Sequence, residues 1–197
     1  MVGGGKVALR KVKMLLDCGA NVTVISPKPH PEIAELSKER AIHLIQRDYE
    51  VGDLKDAYIA IACTDSKGVN RRVADEAMKG RVLVNVADDP KLSSFIIPSF
   101  FRRGSLTVAV STGGVSPALA RKIRTKLEKD LEEEYALLVS LIGEVRSTIK
   151  EKKIIVDAEA WQEALDLDLL VKLLREGGWE KAKSFLIDRL EGHREEK

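Results

Sequence analysis

Residues 2–8, "VGGGKVA", set Gly3, Gly5 and Ala8 in the spacing G-x-G-x-x-A. Each small residue there has its own physical use. The first glycine permits a tight turn, the second lets the backbone approach a ligand, and the third position allows a helix to pack closely on a strand. A helix opening directly after such a turn offers free N–H groups and the positive end of its dipole to an anion. The chemistry that this spacing suits is the holding of a dinucleotide pyrophosphate. A lone glycine motif is weak, but a helical pattern and then a β-branched run follow at the right distances. The acidic residue expected about 20 positions later to bond the adenosine ribose is absent. The β-branched run ends instead in Ser26, Pro27 and Lys28. A serine can bond a ribose hydroxyl and a lysine tolerates a 2′-phosphate, so NAD and NADP both stay open on the residues alone. A buried strand should precede the turn, yet only Met1 and Val2 do. The first strand is therefore expected to be truncated, its place in the sheet empty or filled by another segment.

The elements that must position this turn follow from periodicity. Ala8, Val12, Leu15 and Leu16 mark one face of a helix over 6–18, with Gly19 as its C-terminal cap. "NVTVIS" (21–26) reads as a strand, "PEIAELSKER" (31–40) as a helix and "AIHLIQR" (41–47) as a strand. "AYIAIACT" (57–64) is a near-continuous apolar run of the kind buried on both faces. A helix over 66–80 closes on Gly80, and "RVLVNVAD" (81–88) is another buried strand. Strands alternating with helices imply a parallel, Rossmann-like sheet. The pattern then changes. "FIIPSFFRRGSLTVAVST" (95–112) holds two extended runs joined by "RRGS", which is antiparallel geometry. Ser116-Pro117 is a helix start, with serine as N-cap and proline at the first position. Beyond it the chain is helical, with faces at Leu138, Leu141, Ile142, Val145 and Ile149, at Trp161, Leu165 and Leu169, and at Trp179, Ala182, Phe185, Leu186 and Leu190.

Bulk composition narrows the class. The chain has 197 residues, 44% of them hydrophobic and 32% charged, with a formal net charge of only +2. That balance gives no argument for nucleic acid. No apolar run approaches the roughly 20 residues that span a bilayer, and no signal peptide is visible. Cys18 and Cys63 lack metal-type spacing and read as reduced thiols of the core in a cytoplasmic protein. His30, His43 and His193 are scattered, so no metal site is expected.

Five stretches together carry a family resemblance: "VGGGKVALRK" (2–11), "LLDCGANVTVISP" (15–27), "IACTDSKGVN" (61–70), "NVADDPKLSSFIIPS" (85–99) and "AVSTGGVSPALARKIR" (109–124). The chain resembles the siroheme synthase N-terminal family, the precorrin-2 dehydrogenases, some of which are also sirohydrochlorin ferrochelatases. The resemblance covers residues 2–130 in register and the helical tail more loosely. It implies NAD-dependent oxidation of precorrin-2 to sirohydrochlorin, and in some members Fe2+ insertion into that product. It also implies a homodimer and an upstream segment carrying the first strand. No methyltransferase pattern follows residue 130, so the longer fused synthase is not expected. The fold expectation is α/β: an NAD-binding Rossmann-like domain over 1–97, a β-hairpin dimerisation region over 98–130 and a C-terminal helical domain over 131–197.

The resemblance assigns roles residue by residue. The family's key aspartate falls on Asp88, with Asp89 next to it. Oxidation of precorrin-2 removes a hydride and a proton, and a carboxylate beside the macrocycle can take that proton once desolvation raises its pKa. NAD is implied to contact Gly3, Gly5, Lys6, Val7, Ser26, Pro27, Lys28, Thr64 and Asp65, with Asn70 as a cap or brace. Precorrin-2 carries many carboxylates. Ser111, Thr112, Gly113, Gly114 and Ser116 of "STGGVSP" and Arg121 are implied to hold them, within a basic region that also contains Arg102, Arg103, Lys122 and Arg124. Two other readings compete: a non-catalytic nucleotide-sensing Rossmann module, which needs the glycine turn but not Asp88, and a chelatase-only protein that no longer binds NAD.

Overall fold

The computed structural model describes residues 1–87 and 89–192, which divide into two compact units, one up to Ile97 and one from Pro98 onward. In the first unit the order is α1 (Lys6–Leu16), β1 (Thr23–Ile25), α2 (Pro31–Lys38), β2 (His43–Ile45), β3 (Ile59–Ala62), α3 (Lys67–Lys79) and β4 (Leu83–Val86). β1 pairs in parallel with β2, and β3 in parallel with β4. The two pairs are joined by the residues that precede the glycine turn. Val2 bridges Ile25 on one side and Ala62 on the other, both in parallel. Val2 N donates to Ile61 O (2.8 Å), Cys63 N to Val2 O (2.9 Å), Ile25 N to Met1 O (2.8 Å) and Gly3 N to Ile25 O (2.9 Å). Two residues thus occupy the central strand position. They suffice because their backbone groups find partners on the two sides in turn, Val2 N and O toward β3 and Met1 O toward β1, as a buried strand requires.

The sheet is covered on both faces. Val24 and Ile25, adjacent in β1, go to opposite clusters, as the alternation of strand side chains demands. Val12, Val24 and Ile33 form one layer with α1 and α2; Ala60, Val73 and Val84 form the other with α3. Fully burying an aliphatic side chain of this size contributes about 1.5–3 kcal/mol. From β2 to β3 the chain crosses without a helix. Residues 46–58 form a loop pinned by Glu76, whose carboxylate accepts from Gly52 N (3.1 Å), Leu54 N (3.1 Å) and the Tyr49 hydroxyl. Arg47 holds Asp53 with two hydrogen bonds of 2.8 and 2.6 Å. The outer edge of β4 is closed by hydroxyls rather than by a strand. Val84 N donates to Ser94 Oγ (2.8 Å) and Val86 N to Ser93 Oγ (2.9 Å).

The cysteines depart from expectation. Cys18 is exposed and Cys63 only half-buried. Cys18 misses the core because α1 ends at Leu16, and the chain turns through Gly19 at φ +72°. Burial still pushes the Cys63 thiol up, so it stays protonated.

In the second unit, β5 (Ser99–Arg103) and β6 (Leu106–Val110) form an antiparallel hairpin. Its two-residue loop begins with Gly104 at φ +53°, the conformation that a tight hairpin turn asks of its first residue. α4 (Pro117–Asp130) packs on both strands. α5 (Glu134–Glu151), α6 (Ala158–Ala164), α7 (Leu167–Arg175) and α8 (Trp179–Gly192) then gather around Leu141, Val145, Leu170 and Leu186. The helical face expected through Trp161, Leu165 and Leu169 is broken. Asp166 caps α7 by accepting from Leu169 N (3.1 Å), and the buried residues there are Ala164, Leu170 and Leu174. A side-chain acceptor in the middle of an apolar run starts a new helix with a new phase.

Candidate functional site

The glycine turn lies on the carboxyl edge of the first unit's sheet, and each glycine has a distinct environment. Gly3 takes φ +109°, and a Cβ there would come within 2.6 Å of Cys63 O and 3.1 Å of Thr64 N. Gly3 therefore packs directly on the exit of β3. A Cβ on Gly4 would come within 2.5 Å of Ser26 Oγ and 2.9 Å of Pro29 Cα. A Cβ on Gly5 would meet nothing within 4 Å. Gly5 is also the N-cap of α1, and no side chain caps that helix. The first-turn amides of α1 thus open onto space with no side-chain acceptor. That arrangement fits a diphosphate, whose oxygens need N–H donors and no Cβ in the way.

Around this opening Lys6, Val7, Pro27, Lys28 and Asp65 are exposed and Thr64 is half-buried. Ser26 is different: it is 5% exposed and lies against Gly4. The middle glycine of the triplet, a variable position in the motif, is thus required by Ser26 and Pro29 pressing on it. Spacing alone carries no signal for that need. The loop after β1 is tied back to the same glycine, since His30 N donates to Gly4 O (2.7 Å). His30 Nδ1 accepts from Glu32 N (3.3 Å), which spends the ring nitrogen on capping α2.

Asp88 lies outside the described residues. Its neighbours on both sides are anchored: Ala87 N donates to Ala62 O (2.8 Å), and Asp89 O accepts from Ser93 Oγ (2.9 Å). The Asp89 carboxylate caps the 3₁₀ turn Pro90–Leu92 by accepting from Lys91 N (3.1 Å). Asn85, one of three buried polar residues among those described, links α1 to the returning chain. Its Oδ1 accepts from Lys11 Nζ (3.2 Å) and its Nδ2 donates to Phe95 O (3.1 Å).

In the second unit the hydroxyl-rich bend is folded on itself. Ser111 Oγ accepts from Gly113 N (3.2 Å), Thr112 Oγ1 from Ser116 N (3.0 Å) and Ser116 Oγ from Leu119 N (3.2 Å). Gly113 and Gly114 both have positive φ, +61° and +86°. The basic residues separate into two groups. Arg103 lies over Phe101, donates to Glu128 O (3.1 Å) and pairs with Glu133 (3.3 Å), while Arg124 pairs with Glu128. Arg121 and Lys122 are exposed on α4, where with Ala118, Ile123, Thr125, Lys126 and Lys129 they line a concavity of about 580 Å³. Val115, Leu119 and Ile123 are also exposed, at 88%, 51% and 39%; Leu119 and Ile123, four apart, share a face of α4, and Val115 lies in the bend just before it.

Comparison with known proteins matches residues 1–99 to a family model described as putative NAD(P)-binding, and residues 103–130 to one described as sirohaem biosynthesis protein central. The siroheme synthase of Tolumonas auensis is 39% identical over 193 residues, covering 97% of this chain and 41% of that protein. The siroheme synthase of Methylobacillus flagellatus is 42% identical over 152 residues, covering 77% of this chain and 32% of that protein. The chain thus spans less than half the length of these relatives. A solved structure described as SirC, precorrin-2 dehydrogenase, matches with a TM-score of 0.72 at 28% identity, covering 95% of this chain and 91% of that one.

Proposed function

The chain belongs to the siroheme synthase N-terminal family, whose first domain is NAD(P)-binding, and from that premise we propose that it oxidises precorrin-2 to sirohydrochlorin with NAD+. The observation that carries this reading is the glycine turn: Gly3 seated on the β3 exit, Gly5 facing open space and α1 without a side-chain cap. Gly3, Gly5, Lys6 and Val7 hold the pyrophosphate. Pro27 and Lys28 border the adenosine side, with Ser26 beneath them, and Thr64 and Asp65 border the other. NAD+ supplies the hydride acceptor. Asp88 takes the proton that leaves the macrocycle with the hydride, so that two hydrogens depart as H⁻ and H⁺.

The substrate is a polyanion. Arg121 is the exposed arginine of α4, and Ser111, Thr112, Gly113, Gly114 and Ser116 form the bend that opens that helix; together they receive the substrate's carboxylates. Two further parts belong to the same proposal. The first is a homodimer, supported by the exposed apolar residues Val115, Leu119 and Ile123, which an isolated subunit leaves in water. The second is Fe2+ insertion into sirohydrochlorin, in which a carboxylate able to take a proton from carbon also takes the pyrrole N–H protons. Among the described residues no group of three or more His, Cys, Asp and Glu gathers as a metal site, so in this proposal the macrocycle's nitrogens are the ligands of the entering Fe2+. No helix among those described is long and apolar enough to cross a membrane, and we assign the reaction to the cytoplasm with the NAD pool.

Anaerobic assay with precorrin-2 and NAD+ tests the reading, with a further arm containing Fe2+. Asp88→Asn should lower turnover by about 10²–10⁴ while leaving NAD+ affinity unchanged. Oxidation by Asp88→Asn at the wild-type rate would remove the aspartate from the mechanism, and a wild-type protein that binds NAD+ without oxidising precorrin-2 would favour the sensing module.

A further inference from the structure

Asn70 is 8% exposed and spends its whole amide on one residue, Thr64. Asn70 Oδ1 accepts from Thr64 N (3.2 Å) and from the Thr64 hydroxyl (2.8 Å). Asn70 Nδ2 donates to Thr64 O (3.0 Å). The amide orientation is set by these partners, because the reverse would put NH₂ against N–H and oxygen against oxygen. Thr64 Oγ1 also accepts from Ser66 N (3.2 Å), and Ser66 Oγ caps α3 by accepting from Val69 N (3.3 Å). The hydroxyl, N–H and carbonyl of Thr64 are therefore all engaged within the protein. Gly3 packs on this same piece of chain, against Cys63 O and Thr64 N.

We infer that Asn70 is a positioning residue of the dinucleotide cleft: acting through Thr64, it holds the β3 exit as the surface on which the glycine turn seats, and Thr64 serves the cofactor as that braced surface rather than through its hydroxyl. This rests on the reading of the turn as an NAD site. Asn70 itself touches no part of the reaction. Backbone pairing with the central strand ends at Cys63, whose N–H donates to Val2 O (2.9 Å), and beyond it the Asn70 side chain takes over by holding Thr64. An unbraced β3 exit would let Gly3 and the amides of α1 drift, and displacements of about 1 Å can cost about a hundredfold where geometry is demanding.

The test measures NAD+ affinity by calorimetry, and KM for NAD+ and kcat by steady-state assay, on the full chain and on Asn70→Ala and Asn70→Asp, each well below its unfolding midpoint. Asn70→Ala should weaken NAD+ binding and raise its KM by about tenfold or more, with kcat at saturating NAD+ within about twofold of wild type. Asn70→Asp keeps the acceptor but loses the donor and should recover part of the affinity. A merely structural asparagine would instead lower the active fraction, reducing kcat and binding stoichiometry at unchanged Kd, and that result overturns the inference. So does wild-type Kd in Asn70→Ala. If Asn70→Ala does not fold, the Asn70→Asp values decide by the same criteria. A wild-type protein that binds no NAD+ removes the nucleotide reading itself, whereas wild-type binding with no Asn70 effect removes only this positioning role.

Discussion

Two of the molecule's glycine-rich turns, those that open α1 and α4, are built in opposite ways. The turn over Gly3–Gly5 leads into α1 without a side-chain cap, and Gly5 faces open space. The turn over Ser111–Ser116 leads into α4 with the N–H groups of Gly113, Ser116 and Leu119 met by its own hydroxyls. Helix N-termini are born with unpaired N–H groups. One turn supplies no side-chain acceptor for them, and the other supplies Ser116 Oγ. The difference lies in which residues flank the glycines: lysine, valine and alanine in the first case, serine and threonine in the second. Similar glycine content thus yields an uncapped helix start at α1 and a largely self-bonded bend at α4.

The largest effect expected from breaking this contrast is at Gly3. Gly3→Ala meets backbone at 2.6 Å with φ +109°, and should destabilise the first unit by about 2–4 kcal/mol, with loss of NAD+ binding. Thermal unfolding followed by circular dichroism reads the first and calorimetry the second. Next comes Gly5→Ala, where the added methyl meets nothing in the protein. Its unfolding midpoint should stay within a degree or two of wild type while NAD+ affinity falls by about tenfold, equivalent to about 1.4 kcal/mol. Unchanged affinity there would disconnect the open space from the cofactor. Ser116→Ala removes the α4 cap and should lower stability by about 1 kcal/mol with NAD+ affinity intact, as denaturant titration and calorimetry would report.

The smallest effect concerns acid. The Arg47 guanidinium beside Asp53 holds that carboxyl below its ordinary value, against the opposing influence of burial. A depressed folded-state pKa means stability that is present above the unfolded aspartate value, about 3.9, and lost as pH falls through the lower folded value. Asp53→Asn should therefore flatten the acid limb of the stability curve below about pH 4. A variant whose limb matches wild type would show that the ion pair contributes nothing to it.

Much of this protein was legible before folding. The parallel order of the first unit follows from alternating strand and helix periods. The hairpin follows from two extended runs around "RRGS", and the start of α4 from Ser116-Pro117. These are local signals, written within a few residues of where they act. The glycine turn was legible for the same reason, since tight turning and close approach each need a missing Cβ at one address. Four features were not. The two-residue central strand depends on partners at positions 25 and 61–63. Gly4 is needed because Ser26 and Pro29 arrive from elsewhere in the chain. The split of Trp161–Leu169 into two helices turns on one aspartate side chain finding Leu169 N. The Asn70 brace joins residues on two different elements. Sequence by itself determined which segments are helix or strand and where a phosphate could be met, because propensity, periodicity and glycine act over neighbouring residues. Tertiary structure alone decided which backbone groups are already spent and which stay free to bind, because that depends on partners that only folding brings within hydrogen-bonding distance.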